Sequence, residues 1–245
     1  MDRPAVILAN DDAVYDFYLD HQQNRQVARI AYATLARRFK PRVSYPAGAR
    51  EEIRRLVYDN TRFIIAVNHL TESDPYTLAA AAWASPLRPG IGRTRVLAKD
   101  ELFQESKQRK RIDMMGGIPV FRGKNHGLRA VSAAGSRMMD VSAERMRRGD
   151  DLAVFPEGTC NLEDATKVQH VGSGIGHIAA RARKLGVEPV LICIGLSYGP
   201  GSSKLKSASV YIDEPITELP TKPIEIARVV AAGLQKAVDG AVAAY

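Results

Sequence analysis

Only two cysteines, Cys160 and Cys193, occur in 245 residues. They lack a metal-type pair spacing and are too few for a disulfide framework, which suits a reducing compartment. Nor is there a run of 18 apolar residues. The longest weakly polar stretch, residues 77–87, is alanine-rich and too short to cross a bilayer. The opening Met1-Asp2-Arg3-Pro4 shows no charged-then-apolar leader. A cytoplasmic location is therefore expected, with any lipid met from the surface, on the cytoplasmic face of a membrane. Aromatic residues are scarce, at 7%. They do not interleave with the basic clusters at 107–111, 145–148 and 181–184, and no nucleic-acid motif accompanies them, which argues against a nucleic-acid partner. Repeats, low-complexity tracts and linkers are also missing, so a single domain over 1–245 is expected.

What the chain has in excess is positive charge. Lys and Arg number 35 against 27 Asp and Glu, a formal net charge of +8. A basic surface favours anionic partners such as phosphorylated small molecules, acidic carrier proteins or anionic membrane. The 45% apolar content is enough for a packed core.

Residues 13–40 keep an approximate helical period and read as one long helix, with a basic second half that ends at Pro41. A second helix is expected over 49–58. These make an N-terminal helical segment, 1–60. The remainder, 61–245, alternates strand and helix. Strands are expected at 63–67, 94–98, 118–121, 152–155, 189–196 and 208–212. Helices are expected from Pro75 and over 100–108, 128–148, 175–185 and 222–244. Such alternation predicts a mixed α/β fold, a largely parallel central sheet flanked by helices. The segment 199–204 reads as a loop.

The strand at 63–67 delivers Asn68 and His69 to its C-terminal edge, where open α/β sheets place their ligand sites. Asp74 precedes Pro75 and reads as a helix N-cap. It is also within reach of His69, and a carboxylate can hold an imidazole in one tautomer so that its other nitrogen accepts a proton. A metal site lacks a third nearby ligand. Gly195-Leu196-Ser197-Tyr198-Gly199 fits a nucleophile elbow, but no helix follows and all five histidines precede the serine, so that pattern is rejected. Gly172-Ser173-Gly174-Ile175-Gly176 reads as a tight turn and helix start rather than a phosphate loop. His170 and His177 beside it read as ordinary polar residues. His21 and His126 show no partner in sequence.

Five segments together carry a resemblance. Asn68-His69 with Asp74 is similar to the Asn-His-x4-Asp signature of the glycerolipid acyltransferases, the superfamily of lysophosphatidate and glycerol-3-phosphate acyltransferases. Val96 to Phe103 resembles the stretch after that signature. Gly116-Gly117-Ile118-Pro119-Val120-Phe121-Arg122 resembles the second motif and Phe155-Pro156-Glu157-Gly158-Thr159 the third. Pro189-Val190 and the strand after them weakly resemble the fourth. The order and gaps fit over residues 60–200.

This resemblance implies a one-step O-acyl transfer from acyl-CoA or acyl carrier protein to a hydroxyl of a lysophospholipid or glycerol phosphate. His69 would be the general base and Asp74 would orient it, with no covalent acyl-enzyme needed. Arg122, whose planar fork suits phosphate, would hold the acceptor, with Lys124 assisting. Asn68, Glu157, Gly158 and Thr159 would complete the binding site, glycine letting the backbone approach a ligand. No cofactor and no metal are implied, the acyl donor being a co-substrate. The basic clusters are then solvated helix faces, or a surface for anionic lipid, CoA phosphate or acidic carrier protein. Two departures matter. Cys160 stands where many members have arginine or serine, and reads as a small packed thiol rather than a nucleophile; the membrane spans of some members are not found. The alternatives are a non-glycerolipid acceptor, such as a glycolipid sugar or specialised metabolite, or a non-catalytic lipid- or membrane-binding protein of the same fold.

Overall fold

The computed structural model describes residues 3–199 and 207–245; most of the expected 199–204 loop lies outside them. Seven strands form one sheet in the order β1-β7-β6-β2-β5-β3-β4. They are β1 Arg42–Ser44, β2 Phe63–Val67, β3 Thr94–Lys99, β4 Gly117–Val120, β5 Asp151–Val154, β6 Val190–Ser197 and β7 Ser209–Ile212. All neighbours run parallel except β6 and β7. The mixed, largely parallel α/β sheet read from the sequence is therefore the observed fold. The N-terminal segment supplies helices and also the edge strand β1, which the sequence did not announce.

Both faces of the sheet are covered, which is why β2, residues 152–154 of β5 and residues 190–196 of β6 are continuous apolar runs. Along β2, Ile64 and Ala66 enter one core while Phe63, Ile65 and Val67 enter the other. The first core lies under α1 (Asp11–Asp20), α7 (Ser132–Arg147), α8 (Gly174–Lys184) and α9 (Pro223–Ala243). The second lies under α3 (Ala49–Tyr58) and α4 (Asp74–Trp83), with α2 (Arg25–Phe39) packed on α4. The remaining helices are α5 (Ser106–Met114) and α6 (Gly123–His126). No helix among the described residues is long and apolar enough to cross a membrane.

The single helix expected over 13–40 is two helices, broken at residues 21–24. Tertiary contacts impose the break. The buried Asp150 accepts from Arg95 Nε (2.6 Å) and Arg145 Nε (2.7 Å). Those guanidiniums in turn donate to the carbonyls of His21 (2.7 Å) and Leu19 (2.8 Å), capping the end of α1. Asn24 then starts α2, its side chain accepting from the amides of Gln26 and Val27, both at 3.1 Å. The helix expected over 100–108 is likewise a 3-10 turn, Asp100–Phe103, followed by α5, which Glu105 caps.

Two glycine-rich segments that mimic catalytic loops serve packing. A Cβ on Gly195 would sit 2.0 Å from the Ala237 carbonyl oxygen, so α9 rests directly on β6. A Cβ on Gly176 would sit 2.1 Å from the Pro223 carbonyl oxygen, where α8 meets the start of α9. As expected from the sequence, α8 begins at Gly174 out of a turn.

Gly195→Ala is expected to cost about 3 kcal/mol, since the clash is with backbone. Gly135→Ala, inside α7 with no atom within 4 Å of the added methyl, is expected to gain roughly 0.5–1 kcal/mol. Urea unfolding of both variants checks the pair. A second expectation concerns Asp151, whose carboxylate accepts from the Phe63 amide at 3.0 Å. Burial pushes its pKa up from 3.8 to about 6. The raised value favours folding below pH 4, and that contribution is lost as the pH rises through 6. Asp151→Asn should therefore match wild type near pH 4 and exceed it by roughly 2–3 kcal/mol at pH 7.5, read from urea midpoints at the two pH values.

Candidate active site

Strands β2, β5, β3 and β4 are adjacent and parallel, so their C-terminal ends share one edge of the sheet. Just beyond those ends lie His69, Phe155 to Cys160, Asp100 with Glu101, and Arg122. Segments up to 91 residues apart thus surround one cavity of about 980 Å³. His69, Lys99, Arg111, Arg122, Lys124 and Cys160 give its wall polar groups. Leu97, Ile112, Val120, Met138, Ile175 and Ile178 give it an apolar part. Such a division fits a ligand with a charged head and a long apolar tail.

His69 is fixed on three sides. Its Nδ1 lies 2.9 Å from Asp74 Oδ2. An ionised carboxylate only accepts, so this contact suits the tautomer with the proton on Nδ1, which in a neutral ring puts the lone pair on Nε2. The ring leans on Phe155, with centroids 4.5 Å apart. Its backbone amide donates to Glu157 Oε1 (2.9 Å), and its carbonyl accepts from the Asn161 amide (2.6 Å). The side chain is 19% exposed, and Nε2, opposite Asp74, is the nitrogen available to a ligand.

Asp74 is fully buried. The N-cap role expected for it is not what the structure shows. Asp74 is the first residue of α4, Ser73 is the cap residue, and neither supplies a capping bond to the helix. The Asp74 carboxylate turns back instead onto the loop before it. Oδ2 accepts from the amides of Leu70 (2.5 Å) and Thr71 (2.8 Å) as well as from His69. Oδ1 accepts from the hydroxyls of Thr71 (3.2 Å) and Tyr198 (2.7 Å). All five partners are donors, an arrangement that fits an ionised carboxylate. Burial first, and then Asp74, push the Tyr198 hydroxyl pKa far up, so Tyr198 remains a donor.

Tyr198 is the member of this group that the sequence did not announce. It sits inside the rejected elbow pattern, 124 residues from Asp74, and no local spacing links the two.

Two expected binding residues lie behind the cavity wall rather than on it. The Asn68 amide donates to the Leu196 carbonyl (3.1 Å) and accepts from the Leu196 amide (2.7 Å), so both ends are used in holding β2 to β6. Glu157 spends Oε1 on the His69 amide and Oε2 on the Gln169 amide (2.9 Å), bracing the 155–173 loop. Glu157 thus ties its loop to the His69 backbone, and Asn68 fixes the end of the strand that precedes His69. Gly158 and Thr159 do line the cavity, and Gly158 takes a φ of +69° that suits glycine.

Arg122 and Lys124 line it too, but Arg122 is engaged: one of its terminal nitrogens reaches both oxygens of Glu101, at 2.8 and 3.0 Å. Lys99 similarly meets Glu72 at 3.1 Å. Arg111 and Lys124 carry no salt bridge among the described residues. His126, which had no partner in sequence, meets Asp100 Oδ2 at 2.8 Å. His21 stacks on Phe17, and burial pushes its pKa down to about 4. Cys160 is not a packed interior thiol. It lies on the cavity wall, its Sγ 3.4 Å from His69 Nε2.

No group of three or more His, Cys, Asp or Glu side chains suited to a metal ion occurs among the described residues. No curated protein matches the chain. The acyltransferase family model matches residues 48–194, more than half of the chain and the stretch that holds β2 to β5 and most of β6. The segments after β2, β3, β4 and β5 meet at one sheet edge and the match spans them, so the chain belongs to the acyltransferase family, the glycerolipid acyltransferase superfamily.

Proposed function

We propose that this protein moves a fatty acyl group from the thioester of acyl-CoA or acyl carrier protein to a hydroxyl of a lysophospholipid or glycerol phosphate. The observation that carries this reading is the Asp74–His69 pair at the wall of a cavity that is cationic at one part and apolar at another. With Nδ1–H held by Asp74, Nε2 takes the acceptor's proton as its oxygen attacks the thioester carbonyl. Asp74 then stabilises the imidazolium that forms. The apolar wall suits the acyl chain, and the cations suit phosphate. No cofactor has a role in this scheme. The exposed Leu162 at the cavity, with the net charge of +8, fits a peripheral approach to anionic lipid on the cytoplasmic face.

One observation favours a neutral hydroxyl, as on a glycolipid sugar, in place of a phosphorylated acceptor. Arg122 and Lys99 are each matched by a carboxylate, Glu101 and Glu72, and position 160 carries no cation. In the phosphorylated reading the acceptor's phosphate displaces Glu101 from Arg122.

Thiol release from palmitoyl-CoA with lysophosphatidate tests the transfer. Release should depend on acceptor, and His69→Ala and Asp74→Asn should each lower kcat by roughly 10²–10⁴-fold. Acceptor-dependent release that survives His69→Ala would overturn the assigned base. Tyr198→Phe removes one of five bonds to Asp74 and is expected to lower kcat several-fold with KM little changed. The two acceptor classes separate at Arg122. With a phosphorylated acceptor, Arg122→Ala should raise KM by about 10-fold or more, and Glu101→Gln, which frees the guanidinium, should lower it. Steady-state kinetics in which neither change moves KM would favour the neutral hydroxyl.

A further inference from the structure

The cavity at the strand ends meets both faces of the sheet. Met138, Val154, Ile175 and Ile178 line it from the first core. Tyr76 and Met115 line it from the other side, where α2 packs on α4. Side chains alternate along β3, so Val96 packs against the second core and Leu97 against the first, and both line the cavity. The cavity therefore has two arms. The arm against the first core is closed and apolar, Met138, Val154, Ile175 and Ile178 all being buried. The other arm is more open. Tyr76, Val96 and Gln108 are half-buried there, and Arg111 is exposed.

Helix α5 turns one face to the open arm. Gln108, Arg111 and Met115 follow one another at spacings of three and four, and all line the cavity. Arg109 turns the other way: it is buried, donates to the Pro4 carbonyl at 2.6 Å and faces Asp113. Lys110 is exposed and outside the cavity lining. Charge separates Arg111 from the cations at the strand ends. Lys99 meets Glu72 at 3.1 Å and Arg122 meets Glu101 at 2.8 Å, whereas Arg111 carries no salt bridge among the described residues. An anion that reaches Arg111 has no carboxylate to displace. Lys124 on α6 shares that freedom, but as a point charge. The planar fork of Arg111 can hold two phosphate oxygens at once, and the Gln108 amide one turn before it can add a further N–H.

We propose that Arg111, with Gln108 beside it, is a phosphate-binding residue of the cavity, in the arm across the sheet from the one that takes the acyl chain. This rests on the acyl-transfer reading above and deepens it by dividing the cavity between an apolar chain and a phosphate. The chemistry recognised is a phosphate ester, carried by CoA or by the acceptor. With a phosphate of CoA at Arg111, Arg122 is left to the acceptor. With the acceptor's phosphate at Arg111, the pair of Arg122 and Glu101 stays closed. In both cases the thioester carbonyl lies between the arms, toward His69.

The test titrates the full chain with CoA and with glycerol 3-phosphate by calorimetry, and measures KM for palmitoyl-CoA and for lysophosphatidate. Wild type is compared with Arg111→Ala, Arg111→Lys and Lys110→Ala. Arg111→Ala is expected to weaken one phosphate ligand by roughly 10-fold or more, raising KM more than it lowers kcat. Arg111→Lys should recover part of the loss. Lys110→Ala, which removes the same charge one residue away, should bind as wild type does. Weaker CoA with a raised KM for palmitoyl-CoA assigns the phosphate to the donor. Weaker glycerol 3-phosphate with a raised KM for lysophosphatidate assigns it to the acceptor. Either result upholds the site. Binding of both ligands to Arg111→Ala at wild-type affinity overturns it, and so does an equal loss in Lys110→Ala, which would mean charge at large. A wild-type protein that binds neither ligand also overturns it. Binding that depends on Arg111, without turnover of any acceptor, upholds the phosphate site and overturns the acyl-transfer reading instead.

Discussion

The Asp74 carboxylate is the point on which the site depends. It is wholly buried, yet it accepts from five donors: three amide or imidazole N–H groups of residues 69–71, and two hydroxyls, of Thr71 and Tyr198. An unpaired buried charge would cost several kcal/mol. Here the donors offset that cost, and they also fix the loop between β2 and α4 in a single shape. Tyr198 reaches Asp74 only because β6 pairs with β2, and Asn68 fastens that pairing through Leu196. The orientation of His69 is thus set by the central sheet and not by its own loop alone.

The same sheet explains why widely separated motifs act together. A parallel sheet with β5 between β2 and β3 puts the residues after four strands at one edge. Glu157, after β5, then ties its loop to the His69 amide after β2. At this edge Arg122 is matched by Glu101 and Lys99 by Glu72, so an anionic ligand would compete with carboxylates at those two cations, whereas Arg111 and Lys124 carry no salt bridge among the described residues.

Much of the fold could be read from local pattern. The continuous apolar run at 63–67 and the amphipathic helix at 49–58 are observed over those residues, because burial on both faces or on one leaves a plain signature. The break at 21–24 could not be read. It is produced by Arg95 and Arg145 holding carbonyls at the end of α1, contacts more than 70 residues away in sequence. The pair His69 and Asp74 was visible as a spacing and as part of a family signature. The contact with Tyr198 was not, since its segment matches an unrelated motif and its meaning lies in β-sheet pairing. Asn68 and Glu157 were visible as site residues, but only three-dimensional placement shows that their polar atoms are spent on backbone behind the wall. The nearness of Cys160 to Nε2 likewise depends on how the 155–173 loop folds against β2.

The central claim is that Asp74 holds His69 as its Nδ1–H tautomer, leaving the Nε2 lone pair toward the cavity. The most direct measurement is the pair of ring ¹⁵N chemical shifts of His69, at a pH where the ring is neutral, in wild type and Asp74→Asn. A protonated Nδ1 and an unprotonated Nε2 in wild type, lost or mixed in Asp74→Asn, is the predicted result. A wild-type ring protonated at Nε2 would contradict the account, because that nitrogen could not then accept a proton from a hydroxyl.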